Sequence, residues 1–224
     1  MPPEPAVALR PGAGVLVDMD GTLVDTEPLW HRSQRRLAGE GGIAWTDADC
    51  ALYTGRPMTE WAGAMRRRGH PNPAEVIIAD AVAMVAAVVR EDVPWLPGAL
   101  DLLSSLAAAD IPCALVTNAG RANADALLEA APPGSLAFAT AAEDVTRGKP
   151  DPEPYLLAAS RLGIDPSISI AFEDSASGAR SAHAAGLSVW FIDSHTPDPG
   201  VPVAGRIGSL AEFDAARLGS TRRG

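Results

Sequence analysis

Residues 15–27 read Val15-Leu16-Val17-Asp18-Met19-Asp20-Gly21-Thr22-Leu23-Val24-Asp25-Thr26-Glu27, and they decide the fold. The apolar, β-branched opening signals a buried strand, expected over about Gly14–Met19. Asp18 and Asp20 stand where that strand runs out, and Gly21 lets the chain turn sharply after them. Carboxylates at the carboxyl end of a buried parallel strand lie where open α/β sheets bind their ligands.

Downstream the character of the chain changes. Pro28 suits the first turn of a helix, and Leu29, Trp30 and Leu37 have an apolar spacing compatible with one, ended by Gly39, Gly41 and Gly42. Thr46 reads as an N-cap, with Asp47 and Asp49 in the first helical turn. Tyr53–Pro57 reads as a turn, and Thr59–Arg68 and Pro73–Arg90 as two more helices. With no convincing strand in this block, residues 28–94 are read as a separate helical domain inserted into a core of residues 1–27 and 95–224.

From Trp95 onward helix and strand alternate. Helices are expected at Ala99–Ala109, Ala122–Ala131, Pro152–Leu162, Ser175–Ala185 and Leu210–Leu218. Strands are expected at Ile111–Thr117, Leu136–Thr140, Ser167–Phe172, Leu187–Ile192 and Val203–Ile207. This alternation predicts an α/β core, a Rossmann-like doubly wound parallel sheet.

Composition narrows the function classes. At 47% hydrophobic, the 224 residues can bury a sizeable core, which argues against disorder. A net charge of −10 argues against a nucleic-acid partner. The longest apolar stretch, Ala79–Val89, contains Asp80 and is too short to span a bilayer. Met1–Gly14 lacks the apolar run of a secretory leader, so a cytoplasmic protein without membrane association is expected. Cys50 and Cys113 are read as reduced thiols of separate elements. The chain has seventeen arginines and one lysine, so any chemistry that needs an amine side chain must use Lys149.

Polar residues recur at three strand ends: Asp18 and Asp20, Thr117 and Asn118, Glu173 and Asp174. In a parallel sheet these ends share one edge and can converge. Lys149 lies in a loop between strands, expected to be extended before Pro150. Crowded carboxylates need a cation to offset their repulsion, and hard oxygen ligands favour Mg2+. Singly, each piece has a plain structural reading: a turn, a helix cap or a solvated lysine. Their conjunction, in order and each at a strand end or loop, points to a site.

The pieces Asp18-Met19-Asp20-Gly21-Thr22, Thr117-Asn118, Gly148-Lys149-Pro150-Asp151-Pro152 and Phe172-Glu173-Asp174-Ser175-x-x-Gly178 resemble the four motifs of the haloacid dehalogenase-like superfamily. The match spans nearly the whole chain, and the helical insertion resembles the small cap of the phosphatases similar to β-phosphoglucomutase. The resemblance implies a phosphatase of a small phosphorylated metabolite. Asp18 would be the nucleophile and Asp20 the acid and base. Mg2+ would be held by Asp18, the Asp20 carbonyl and Asp174, with Glu173 in or beside the ligand set. Thr117 and Lys149 would bind the phosphoryl group, and Asn118 would be a substrate-binding residue beside them. Gly55 and Arg56 resemble the cap loop that reads substrate, and the cap would exclude water until substrate binds. Residues 24–28 would be its hinge. A monomer or weak homodimer is expected.

Other readings fare less well. The mutases of this subgroup carry a cap-loop lysine and a hinge histidine, where this chain has Thr54 and Trp30. A phosphonate hydrolase of the superfamily needs a cap lysine, and a dehalogenase is not expected to keep Asp20. A signalling receiver domain is shorter and has no helical insertion. Trp30, Trp61 and Trp95 read as packing residues, Arg66–Arg68 as a solvated helix end, and the histidines lack ligand spacing.

Overall fold

In the computed structural model, which describes residues 9–54, 56, 58–193, 198–214 and 218, the chain divides into two compact units. One comprises residues 1–25 and 94–224, the other Thr26–Val93. The divisions fall two residues and one residue earlier than read from the sequence.

Among its described residues the smaller unit holds four helices: α1 (Glu27–Glu40), α2 (Asp47–Tyr53), α3 (Met58–Arg67) and α4 (Ala74–Glu91). Leu37, Trp45, Cys50, Trp61, Met65 and Ile77 form its buried core. The N-terminus of α2 is fixed by a reciprocal cap. The Thr46 hydroxyl accepts the Asp49 N–H at 3.3 Å, and Asp49 Oδ2 accepts the Thr46 N–H at 2.8 Å. Asp49 also accepts a 2.5 Å bond from Arg68, whose guanidinium lies 4.7 Å from the Trp45 ring centroid. The Arg68 bond and those from Thr46 hold the Asp49 carboxyl well below the usual carboxylate range. Arg68 thus sits at an exposed helix end, as read from the sequence, and also pins the cap of the neighbouring helix.

Among its described residues the α/β unit carries six strands: β1 (Val15–Val17), β2 (Cys113–Val116), β3 (Ala139–Thr140), β4 (Ile170–Glu173), β5 (Ser188–Ile192) and β6 (Gly205–Ile207). Its helices are α5 (Ala99–Ala108), α6 (Arg121–Ala130), α7 (Glu153–Leu162) and α8 (Ala176–Ala184). All strands are parallel, in the order β3-β2-β1-β4-β5-β6. The order reverses between β1 and β4, the place where a doubly wound sheet opens a crevice at its carboxyl edge. Val17 pairs with both Leu115 and Phe172, so β1, β2 and β4 end level with one another. Leu16, Val116, Tyr155, Ala171 and Phe191 share one buried core cluster.

Three expectations need correction. Pro166–Ile168 is a 3-10 turn, and β4 begins only at Ile170. Proline has no N–H for a ladder, and Asp165 Oδ1 instead accepts the Ser167 N–H at 2.9 Å. The expected last helix is a 3-10 turn at Leu210–Glu212, with residues 215–217 outside the described set. Lys149 lies in a turn rather than an extended segment, its peptide bond to Pro150 being cis. Cys50 and Cys113 are both free and buried, and among the described residues no helix is long and apolar enough to cross a membrane.

Candidate active site

Asp18 follows β1 directly, and its N–H still donates to Phe172 O at 3.1 Å. The chain then closes a tight loop in which Met19 O accepts from the N–H groups of Leu23 and Val24. Asp20 sits half-buried in this loop, its backbone bridged to Val24. Gly21 has φ +84°, and a Cβ there would fall 2.1 Å from Asp174 Oδ2. Glycine at this position thus lets the end of β4 approach the loop after β1.

At the end of β2, the buried Thr117 hydroxyl accepts the Ala119 N–H at 2.9 Å. Its own proton is left to donate to a ligand oxygen. Asn118 also holds the loop that carries Lys149. Oδ1 accepts the Lys149 N–H at 2.9 Å and Nδ2 donates to Lys149 O at 3.2 Å. The amide group clamps the Lys149 main chain, and the residue is exposed.

Lys149 is buried, with its side chain 3% exposed. Its ammonium donates to Asp18 Oδ1 at 2.5 Å, Glu173 Oε1 at 2.5 Å and Val116 O at 2.8 Å, which uses all three protons. Glu173 Oε1 also accepts a 2.6 Å bond from the Tyr155 hydroxyl. Its other oxygen receives the Ser175 hydroxyl at 3.3 Å, and Ser175 in turn caps α8. The carboxylate lies so close to the first turn of α8 that a Cβ on Gly178 would fall 1.9 Å from Glu173 Oε2. Tyr155 was not singled out from the sequence, because an aromatic residue on a helix reads as core.

The electrostatics follow from burial. Desolvation opposes the Lys149 charge, but Asp18 and Glu173 overcome it and hold the pKa above the ordinary lysine value. Burial, and then the Asp18 charge, push Glu173 up to about 7, against the pull of Lys149 and the Tyr155 hydroxyl. Burial and the Glu173 charge push the Tyr155 phenol well above its ordinary range, so it remains a donor.

Asp18, Glu173 and Asp174 each place an oxygen within 4.8 Å of the others. Three carboxylates around one ammonium leave an excess of negative charge that suits a hard cation. Because Glu173 is already engaged by Lys149, Tyr155 and Ser175, Asp18 and Asp174 are the better ligand pair. Such a donor set fits Mg2+.

The remaining expected residues lie in the helical unit. Arg56 is exposed and 3.4 Å from Glu60. Gly55 lies outside the described residues. Trp61 is core, as its reading as a packing residue implied. His70 is buried, accepting the Asn72 N–H at 3.2 Å and contacting Leu37 O at 3.0 Å, a structural histidine.

Residues 13–186 match the haloacid dehalogenase-like hydrolases. The chain belongs to that family. Hexitol phosphatase A of Escherichia coli (strain K12) is 34% identical over 187 residues, covering 83% of this chain and 85% of that protein. Validoxylamine A 7'-phosphate phosphatase of Streptomyces hygroscopicus subsp. limoneus is 32% identical over 175 residues, covering 77% and 81%. Among solved structures, CbbY from Rhodobacter sphaeroides in complex with xylulose-(1,5)bisphosphate superposes with a TM-score of 0.78 at 26% identity, covering 92% of this chain and 99% of that one. Together with a β-phosphoglucomutase-like structure from Thermotoga maritima, these likenesses put this haloacid dehalogenase-like hydrolase in the β-phosphoglucomutase-like subgroup.

Proposed function

We propose that the protein is a Mg2+-dependent phosphatase that hydrolyses a small phosphorylated metabolite, of the sugar phosphate kind, through an aspartyl-phosphate on Asp18. The observation that carries this reading is the buried contact of Lys149 with Asp18, beside Thr117 and Asp174, at the carboxyl edge of the sheet. The named phosphatases among its relatives support the reaction class.

Asp18 attacks phosphorus, and the bond to the leaving oxygen breaks as Asp20 protonates that oxygen. Asp20 then takes a proton from the water that hydrolyses the acyl phosphate. Lys149 supplies a fixed point charge, and Thr117 donates its free proton to a phosphoryl oxygen. Both matter most where charge spreads over those oxygens in the transition state. Mg2+, held by Asp18, Asp174 and the Asp20 carbonyl, would offset the charge of carboxylate and phosphate alike. Arg56 is assigned to an anionic group of the substrate. A mutase is the less favoured reading, since Thr54 and Trp30 replace the lysine and histidine that reaction uses in similar proteins.

The test is phosphate release from a panel of sugar and polyol phosphates, with Mg2+ and with chelator, for wild type, Asp18→Asn and Asp20→Asn. Mg2+-dependent release that Asp18→Asn abolishes is expected. Release that persists in Asp18→Asn overturns the nucleophile. An unchanged rate in Asp20→Asn removes the proton shuttle. Bisphosphate-primed interconversion of glucose 1-phosphate isomers would reverse the preference for hydrolysis.

A further inference from the structure

Tyr155 is fully buried on α7, in the cluster that includes Leu16, Val116, Ala171 and Phe191. Packing alone does not call for its hydroxyl. A phenylalanine would fill the same space without a polar group to desolvate. The hydroxyl donates at 2.6 Å to Glu173 Oε1, the same atom that accepts the Lys149 ammonium at 2.5 Å. The Tyr155 ring centroid lies 5.2 Å from Lys149 Nζ, so one side chain touches both partners of the ion pair.

We propose that Tyr155 is a positioning residue for phosphoryl transfer: its hydroxyl fixes Glu173 Oε1, and through Glu173 it sets where Lys149 Nζ meets Asp18. This inference rests on the phosphatase reading of the site. A carboxylate oxygen has two lone pairs. On Glu173 Oε1 one is taken by Lys149 and the other by Tyr155, while Ser175 holds the second oxygen. Without the phenol, Oε1 regains an open acceptor position and less of its charge is offset. The ammonium is then drawn toward Glu173 and away from Asp18. An interaction that counts most in the transition state is lost from kcat more than from KM.

The experiment compares Tyr155→Phe with wild type, using p-nitrophenyl phosphate at saturating Mg2+ and thermal unfolding of the metal-free proteins. The expected result is a kcat lower by about tenfold, with KM changed by less than about threefold and an unfolding midpoint within about 3 °C. In a Glu173→Gln background the same substitution should change kcat by less than about twofold, because the carboxylate it acts through is gone. A kcat in Tyr155→Phe equal to wild type, or the same fractional loss in both backgrounds, overturns the role. So does a loss of activity matched by a loss of folded protein. If wild type releases no phosphate from any ester, the reading of the site fails and this inference falls with it. An active wild type beside an unaffected Tyr155→Phe removes only the role of Tyr155.

Discussion

Asn118 holds Lys149 by its main chain while Asp18 and Glu173 hold it by its ammonium. The loop bearing Lys149 is thereby tied at one end to the tip of β2 and at the other to the tips of β1 and β4. A Cβ on Gly148 would fall 2.7 Å from Asn118 Oδ1, so the preceding residue leaves room for the clamp. Asn118→Ala removes both bonds without touching the ammonium. Its kcat toward phosphate esters should fall by about tenfold or more, with a smaller change in KM, measured by steady-state phosphate release.

Lys149 and Glu173 form a buried pair whose two partners are not equally replaceable. Lys149→Met leaves Glu173 buried without its cation, and the cost to folding should be on the order of 3 kcal/mol, read from the denaturant midpoint. Adding Glu173→Gln removes the stranded charge and should return part of that stability. Activity should stay lost in the double variant, since neither residue then supplies the positive charge at Asp18. Recovery of hydrolysis along with stability would show that Lys149 serves folding alone.

The helical unit has a pH-dependent component of its own at Asp49. Its carboxyl is held below the ordinary range by Arg68 and Thr46, so ionisation stabilises the folded form. For a depressed folded pKa, that stabilisation is complete above the unfolded value of about 3.9 and is lost as pH falls through the folded value. Asp49→Ala should lower the unfolding midpoint at pH 7, and its gap to wild type should narrow below about pH 4. Thr46→Ala, which removes the other half of the cap, should cost about 1 kcal/mol at neutral pH.

Much of this arrangement was legible in the residues. The run Val15–Val17 and the alternation after Trp95 foretold the parallel sheet, and a parallel sheet brings its strand ends to one edge. Spacing therefore collected Asp18, Thr117, Glu173 and Asp174. It did not tell which way a side chain points. The clamp of the Asn118 amide on the Lys149 main chain, for one, has no signature in the sequence. Tyr155 was invisible for a related reason: the partner of its hydroxyl comes from β4, and no local pattern announces it. The strand expected from Ser167 failed where local chemistry competed, with Asp165 and Pro166 favouring a turn over the apolar pattern.

Seventeen of the eighteen basic residues are arginines, so the protein's single side-chain amine is the one seated against Asp18. Acylation of a lysine therefore has only one meaning for this molecule. An amine-directed reagent has no surface ε-amine to consume, and the one it can reach is 3% exposed and already giving its three protons away. Lysine acetylation cannot decorate this protein's surface: it either misses or strikes the amine seated against Asp18.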